Sequence, residues 1–311
     1  MAVLTRTRTP AVPKAPDQIR TRDGWWAAFF LAPQVLALVI FLVIPLLYAV
    51  VLAFMKWDGL TESSWVGFAN FSAQLTDPEF LGAVWNTTKI ALLTVPVGLG
   101  LAVLIAVALN SIKGRAANVY RVLYFLPVIT SSVATSIIWQ VILANDESGV
   151  LNTTLKSWFG IEGVDWLGST TWVTVAISIV TIWSSLGLNV VIFLAGLQTI
   201  PPALLEAARI DGAGPWRAFR SVTLPMLSPT IFFSTVVAVI SSFQAFDLIY
   251  VLVNPAHNEG ARTIVYQVWK LGFRDFELGM SSAAALLLMV LTLLVTLGQF
   301  AVQKRLVHYD S

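Results

Sequence analysis

The chain has no cysteine in 311 residues and only two histidines, His257 and His308, far apart in sequence. This removes disulfides, a thiolate nucleophile, Fe–S clusters and Cys-ligated zinc, and two distant histidines argue against a metal centre. Charge is scarce as well. Only 12% of residues are charged and the formal net charge is +2, too small a surplus to argue for nucleic acid. No GxxxxGK[ST] loop occurs to cradle nucleotide phosphates, so the chain is not expected to hydrolyse ATP by itself. The clustered His, Asp or Glu residues expected of a membrane-embedded enzyme are missing too.

Apolar sequence is abundant. Hydrophobic residues make up 57% of the chain, and the mean hydropathy is +0.78, which mark an integral membrane protein. A helix needs about 20 mostly apolar residues to cross hydrocarbon, because only there are all its backbone groups satisfied internally. Six segments meet this: Trp25 to Phe54, Ala83 to Leu109, Val119 to Leu143, Trp172 to Leu197, Pro229 to Val253 and Ser281 to Val302. The first is about twice the usual 7 to 15 residues of a signal-peptide core and reads as a retained span. An all-α membrane protein of six transmembrane helices is the expected fold.

Orientation follows from the basic residues. With the N-terminus inside, Arg6, Arg8, Lys14, Arg20, Arg22, Lys113, Arg115, Arg121, Arg209, Arg217, Arg220, Lys304 and Arg305 are cytoplasmic, 13 of the 19 Lys and Arg. The positive-inside rule then places both termini in the cytoplasm. Residues 1–24, with Pro10, Pro13 and Pro16 among Thr and Arg, read as a flexible cytoplasmic tail that sets topology. Residues 25–302 form the membrane domain, and 303–311 a second cytoplasmic tail. The outer segments carry Trp57, Trp65, Trp158 and Trp166, read as an interfacial aromatic belt rather than a ligand site. No internal repeat halves the chain.

One cytoplasmic segment, residues 201–225, is polar, basic and broken by glycine: PPALLEAARIDGAGPWRAFRSVTLP. Pro201 and Pro202 suit a helix start, and Ala203 to Ile210 are good helix formers, with Leu204, Leu205, Ala207 and Ala208 forming one small apolar face. Asp211 and Gly212 favour a turn, because glycine tolerates positive φ. Pro215 is expected to open a second short helix, Trp216 to Val222, ended by Leu224 and Pro225. Two readings fit this helix-turn-helix. It is a connection whose arginines hold orientation and attract anionic lipid, or a rigid element docking a soluble partner through its apolar face and Glu206.

The residues Glu206-Ala207-Ala208, Asp211-Gly212-Ala213, Phe219 and Leu224-Pro225 resemble the EAA motif of inner-membrane permeases of binding-protein-dependent ABC importers. The flanking GLQTIPPALLEAARIDGA (196–213) and FQAFDLIYVL (243–252) resemble the carbohydrate branch, the first permease of glycerol-3-phosphate, multiple-sugar and maltose-type systems. More loosely, the likeness runs from Trp25 to the C-terminus and includes RVLYFLP at 121–127. The resemblance implies a heterodimer with a second permease, two ATPase subunits that bind ATP and Mg, and an extracytoplasmic solute-binding protein. It implies no cofactor or metal in this chain and an inner-membrane location. The helix bearing Glu206, Ala207 and Ala208 would be the coupling helix, with Asp211 and Gly212 at its turn. Many relatives follow span five with a Thr-Gly-Gly-Pro type loop, whereas this chain reads VLVNPAHNEGART at 251–263, so the outer gate is expected to differ.

Polar residues inside spans tend to face a cavity or another helix. Span three carries Thr130, Ser131, Ser132, Thr135, Ser136, Trp139 and Gln140; span four carries Trp183, Ser184, Ser185 and Asn189; span five carries Ser241, Ser242, Gln244 and Asp247. Sugars need amides and carboxylates for their hydroxyls and aromatic faces for their C–H surfaces, which Trp183, Asn189, Phe243, Gln244 and Tyr250 supply. Alignment with the maltose branch adds Leu186, Gly187, Val190, Ser241, Ser242 and Ala245. The candidate pathway set is Trp183, Gly187, Asn189, Ser241, Ser242, Gln244 and Asp247. Hydroxyls also serve as small residues in helix packing, and Asp247 reads either as a wetted gate or as a packing partner. An ABC permease for a non-carbohydrate solute and a stand-alone secondary transporter stay open, the latter leaving the EAA segment without a purpose.

Overall fold

A computed structural model describes residues 21–112, 120, 123, 124, 126–146, 149–161 and 163–306, with the backbone alone at 21–23 and 304–306. The tail through Arg20, the basic residues Lys113, Arg115 and Arg121, with Val122 and Phe125 of the 121–127 stretch, and residues 307–311 lie outside the described residues. The chain divides into two units, residues 1–51 and 52–311.

Within the first unit, α1 (Thr21–Leu38) continues through a π-helical turn, Val39–Val43, into α2 (Ile44–Ala53). Proline at position 45 cannot donate to the carbonyl four residues back, and its ring would clash there in an α-helix. The π turn immediately before it widens the helix and absorbs both problems. The resulting apolar stretch Gly24–Ala53 is long enough to cross a membrane.

The second unit begins with a short hairpin, β1 (Met55–Lys56) against β2 (Ser64–Trp65), then α3 (Ala69–Thr76) and the long α4 (Pro78–Ser111). The start of α4 is built from sequence signals: Asp77 accepts from the Glu79 N–H and Pro78 occupies the first turn. After it come α5 (Ser132–Ile142), α6 (Val150–Phe159), α7 (Trp172–Gln198), α8 (Pro202–Ile210), α9 (Pro215–Ala218), α10 (Leu224–Phe243), α11 (Asp247–Val253), α12 (Ile264–Trp269) and α13 (Leu278–Leu306). Among the described residues, five helices are long and apolar enough to cross a membrane: 24–53, α4, α7, 215–243 and α13. The β-hairpin, α6, α11 and α12 lie at the end of the unit where α4 and α7 both begin, here the loop end, and α8 and α9 follow the opposite end of α7.

Three expectations about helix boundaries need correcting. The expected third span is interrupted. Its described part is helical at 126–129, leaves the helix at Thr130 and Ser131, and resumes as α5, which is too short to cross a membrane alone. The expected second helix of the polar segment does not end at Leu224 and Pro225. Helix runs without a break from Pro215 to Phe243, with a π turn at Phe219–Thr223 directly before Leu224 and Pro225, the arrangement seen before Pro45. Pro229, one turn on, cannot donate to the Pro225 carbonyl; Ser228 Oγ donates to it instead at 2.6 Å. Finally, span five does not reach Val253. It stops at Phe243, and after the bend at Gln244 to Phe246 the chain re-forms helix as α11.

Three apolar clusters hold the second unit. One joins α4, α7 and α10 through Leu99, Ala102, Val103, Val190, Phe193 and Leu227. A second joins Ile90 and Ile177 to Ile249 and Leu252 of α11. The third joins Phe80 and Ala91 to Phe243, Ile264 and Ala284. At the loop end polar side chains take over. Buried Asn152 donates to the Ala144 and Val164 carbonyls at 3.1 and 2.9 Å, and its Oδ1 accepts from Val164 N and Trp166 Nε1 at 3.1 and 2.9 Å. Trp166 is therefore an internal residue, 8% exposed, and leaves the expected aromatic belt, whereas Trp158 stays 77% exposed.

Replacing Asn152 with Leu removes a partner from four polar groups around one buried site, of which only the Val164 carbonyl keeps another donor, the Trp166 N–H, and is expected to cost about 2–3 kcal/mol. The apparent melting temperature of the purified protein should fall; an unchanged value would mean that the 144–166 segment is held by other contacts.

Candidate functional site

The polar segment opposite the loop end is a rigid exposed hairpin. Helix α8 contains no buried residue. Glu206 and Ala207 face outward with Leu204 and with Ile210, the last 86% exposed, while Leu205 and Ala208 turn half-buried toward the bundle. The apolar face expected as one patch is thus split in two. Its C-terminus closes as a double-bonded turn: Gly212 N–H donates to the Arg209 carbonyl at 3.0 Å and Ala213 N–H to the Ala208 carbonyl at 2.9 Å. Gly212 sits at φ +76° with open space around its Cα, so backbone conformation and not crowding demands glycine. Asp211 ends α8 with its N–H on the Ala207 carbonyl. Across the turn Trp216, 70% exposed, packs on Phe219 with ring centroids 5.5 Å apart.

The candidate pathway residues fall around α5, α7 and the bend between α10 and α11. Ser132, Ser136 and Gln140, spaced four apart, form one stripe of α5 turned to α11. Ser132 Oγ donates to the Asp247 carboxylate. Ser136 Oγ lies 3.0 Å from the Leu248 carbonyl. Gln140 Nε2 donates to the Val251 and Leu252 carbonyls at 2.7 and 3.1 Å. The last carbonyls of a helix have no intrahelical donor, and Asn254, at φ +51°, terminates α11, so Gln140 supplies what the backbone lacks. Asp247 is nonetheless exposed, as are Ser241 and Gln244 at the bend.

Trp183, 38% exposed, meets Trp139 edge-on at 5.8 Å, joining α5 to α7. Asn189 bonds back to the Ser185 carbonyl of its own helix at 3.1 Å. Gly187 and Ser242 are buried. A Cβ at Gly187 would lie 1.9 Å from the Tyr124 carbonyl oxygen, so this glycine lets the segment before α5 cross α7 in backbone contact. Phe243 belongs to the core, and Tyr250 packs at 4.9 Å from Trp269 within a cluster that includes Phe246 and Tyr266. Tyr266 and Trp269 had no sequence signal pointing to the site, since α12 lies in a connection and reaches α11 only through folding. The 251–263 segment is anchored by buried side chains: Asn258 Nδ2 on the Leu167 and Gly168 carbonyls, and Asn86 Nδ2 on those of Glu259 and Arg262.

A model of the binding-protein-dependent transport system inner membrane component matches residues 98–308, more than half of the chain and all of the hairpin, α7, α10 and α11. The chain belongs to this family. Among proteins similar to the permease is the sn-glycerol-3-phosphate transport system permease protein UgpA of Agrobacterium fabrum, 33% identical, covering 89% of this chain and 94% of the relative. The arabinooligosaccharides transport system permease protein AraP of Bacillus subtilis is 31% identical, with 95% of each chain covered. Among solved structures, a bacterial ABC transporter involved in the import of the acidic polysaccharide alginate superposes with a TM-score of 0.81 at 26% identity, covering 92% of this permease and 98% of that chain. A further structure of the alginate transporter, in complex with an alginate pentasaccharide-bound periplasmic protein, has the same TM-score of 0.81 at 25% identity.

In this permease, Gln140→Leu leaves the Val251 and Leu252 carbonyls without their donor. Amide exchange of α11 is expected to quicken roughly tenfold, the loss of about 1.4 kcal/mol of local stability. Unchanged exchange across 247–253 would show that apolar packing alone holds α11.

Proposed function

We propose that the chain is the transmembrane permease subunit of an ATP-driven importer for a sugar or sugar derivative. The reading is carried by the continuous helix from Pro215 to Phe243, which joins the exposed hairpin at one end to the polar bend at the other. At about 1.5 Å per residue this rod is some 40 Å long, enough to carry a displacement of α8 across the bilayer. In this reading the hairpin end is cytoplasmic, in keeping with the basic residues. Six crossings then bring both termini inside, the third being the interrupted helix that includes α5. Glu206, Ala207 and Ala208 contact a separate ATPase subunit, which binds and hydrolyses ATP, and Asp211 and Gly212 hold the turn that makes the contact rigid. Two such ATPases, a second permease and an extracytoplasmic solute-binding protein complete the assembly in the bacterial inner membrane.

The solute path runs along the exposed side of α7, the bend and α11. Trp183 supplies an aromatic face; Asn189, Gln244 and Asp247 supply hydrogen-bonding groups; Ser241, Ser242 and Gly187 leave room or pack the helices. Because α11 is tied to α5 by Ser132, Ser136 and Gln140, the two move as one piece when the rod shifts, which suits a path that opens alternately to each side. The sugar assignment draws on the relatives, whose names include arabinooligosaccharides, alginate and glycerol 3-phosphate.

Glu206→Ala and Gly212→Pro should each lower ATP-dependent uptake at least tenfold while the permease remains in the membrane. Proline cannot adopt φ +76°, and it also removes the N–H that closes the turn. Full uptake in both variants, or uptake by the purified chain without an ATPase, would overturn the coupling role. Separately, Asn189→Leu and Gln244→Leu should raise KM or lower kcat for uptake with ATPase docking intact; unchanged kinetics in both would remove them from the path.

A further inference from the structure

One side of the rod lines a cavity of about 820 Å³ between α4, α10 and α13, and from Leu224 onward its lining follows the α-helical step: Leu224, Ile231, Thr235, Val239 and Phe243. Continued toward the hairpin, that step would bring Arg220 or Ser221, four or three residues before Leu224, into the same apolar wall. The wall instead takes Phe219, five residues back. Five residues of α-helix turn through about 500°, which would leave the two side chains about 140° apart. The π turn Phe219–Thr223 closes this difference. Leu224 N–H bonds to the Phe219 carbonyl, so one extra residue is absorbed within a single turn. Phe219 also packs against the apolar cluster that holds Leu227 and Phe193, while Trp216, Arg217, Arg220 and Ser221 are exposed.

Two local facts favour the wider turn. Pro225 has no N–H to offer the Ser221 carbonyl, and its ring would collide with that carbonyl in an α-helix. A regular helix would also press the Arg220 guanidinium into a cavity whose lining holds no carboxylate, whereas the π turn leaves it in the open. The same shift decides how the hairpin sits. Trp216 packs on Phe219 at 5.5 Å, and only Pro215–Ala218 separates Phe219 from Gly214 in the hairpin turn. With the π turn replaced by α-helix, everything before Phe219 would rotate by about 100° around the rod axis. Glu206 and Ala207 would then no longer face as they do.

We propose that Phe219 is a positioning residue: seated in the apolar wall through the π turn, it fixes the rotation of the hairpin about the rod, and that register converts a shift of the hairpin into a shift of the bend at Gln244 to Phe246. The role rests on the coupling function proposed above for the hairpin. Coupling then depends on an angle set at the foot of the rod and not on the outward residues of α8 alone. The π turn is the means to that angle, since it carries one residue more than an α-helix needs to bring Phe219 to the wall.

Two variants of the assembled importer, reconstituted in liposomes with its solute-binding protein, separate register from a merely structural role, with uptake per ATP hydrolysed as the readout. Exchanging two neighbours, Phe219→Arg with Arg220→Phe, keeps length and composition but puts the apolar side chain at the α-helical step, so the turn relaxes and the hairpin rotates. Uptake per ATP should fall about tenfold or more while the ATPase still co-purifies. Deleting Ser221 together with Pro225→Ala removes the extra residue and the proline at once. Phe219 then lies four residues before Leu224, and the register survives in plain α-helix. Uptake per ATP should stay within about twofold of wild type. Wild-type coupling in the exchange variant, or a deletion variant that fails to assemble or to couple, would overturn the proposal. Should the exchange variant fail to assemble, the deletion variant decides alone. Absence of ATP-driven uptake by the wild-type importer would instead sink the permease function on which the role rests.

Discussion

A backbone carbonyl in hydrocarbon has no water to bond, so every departure from α-helix within a span must find another donor. This chain departs repeatedly, and several of the departures are met by a specific local device. Before Pro45 and before Pro225 a π turn widens the helix where the ring would collide. At Pro229 the lost backbone donor is replaced by Ser228 Oγ. At the end of α11 the two carbonyls without intrahelical donors are taken by Gln140 from the neighbouring α5. The irregular backbone is completed by a wider helical turn, by a side chain of the same helix or, at the end of α11, by a side chain of the neighbouring α5.

The interruptions are also where the candidate function lies. Two of them, Thr130–Ser131 and Gln244–Phe246, are joined through the Ser132, Ser136 and Gln140 stripe, so the short helices α5 and α11 behave as one body. The uninterrupted rod from Pro215 to Phe243 links that body to the hairpin at the opposite end. A stiff lever ending in a jointed, hydrogen-bonded segment is a mechanical arrangement suited to passing a shift from a soluble partner to a solute path. The hairpin contributes rigidity through the turn at Gly212 rather than through buried contacts, which leaves the outward residues of α8 free for docking.

Much of this was legible in the residues. The apolar runs at α7 and α13 were placed within a few residues, because a span has a length that hydrocarbon dictates. The Asp211-Gly212 turn was legible because positive φ selects glycine locally. One boundary was misread: Leu224 and Pro225 look like a helix end when proline is judged by its lost donor, and only the five-residue π turn before them shows how the helix absorbs the loss. Trp166 was misread as interfacial because nothing in its own neighbourhood reveals that Asn152 captures its indole N–H.

Sequence alone determined what is local: which stretches are apolar enough to cross, which side the basic residues favour, and which turn demands glycine. Tertiary structure decided the pairings. That Ser132, Ser136 and Gln140 face α11, that Gly187 carries a helix crossing at the Tyr124 carbonyl, and that Tyr250 meets Trp269 from a later connection are all contacts between residues distant in the chain. Hydropathy carries no information about such partners, because a hydroxyl or amide inside a span has the same composition whether it packs, caps or binds. Only the position of the neighbouring helix tells them apart.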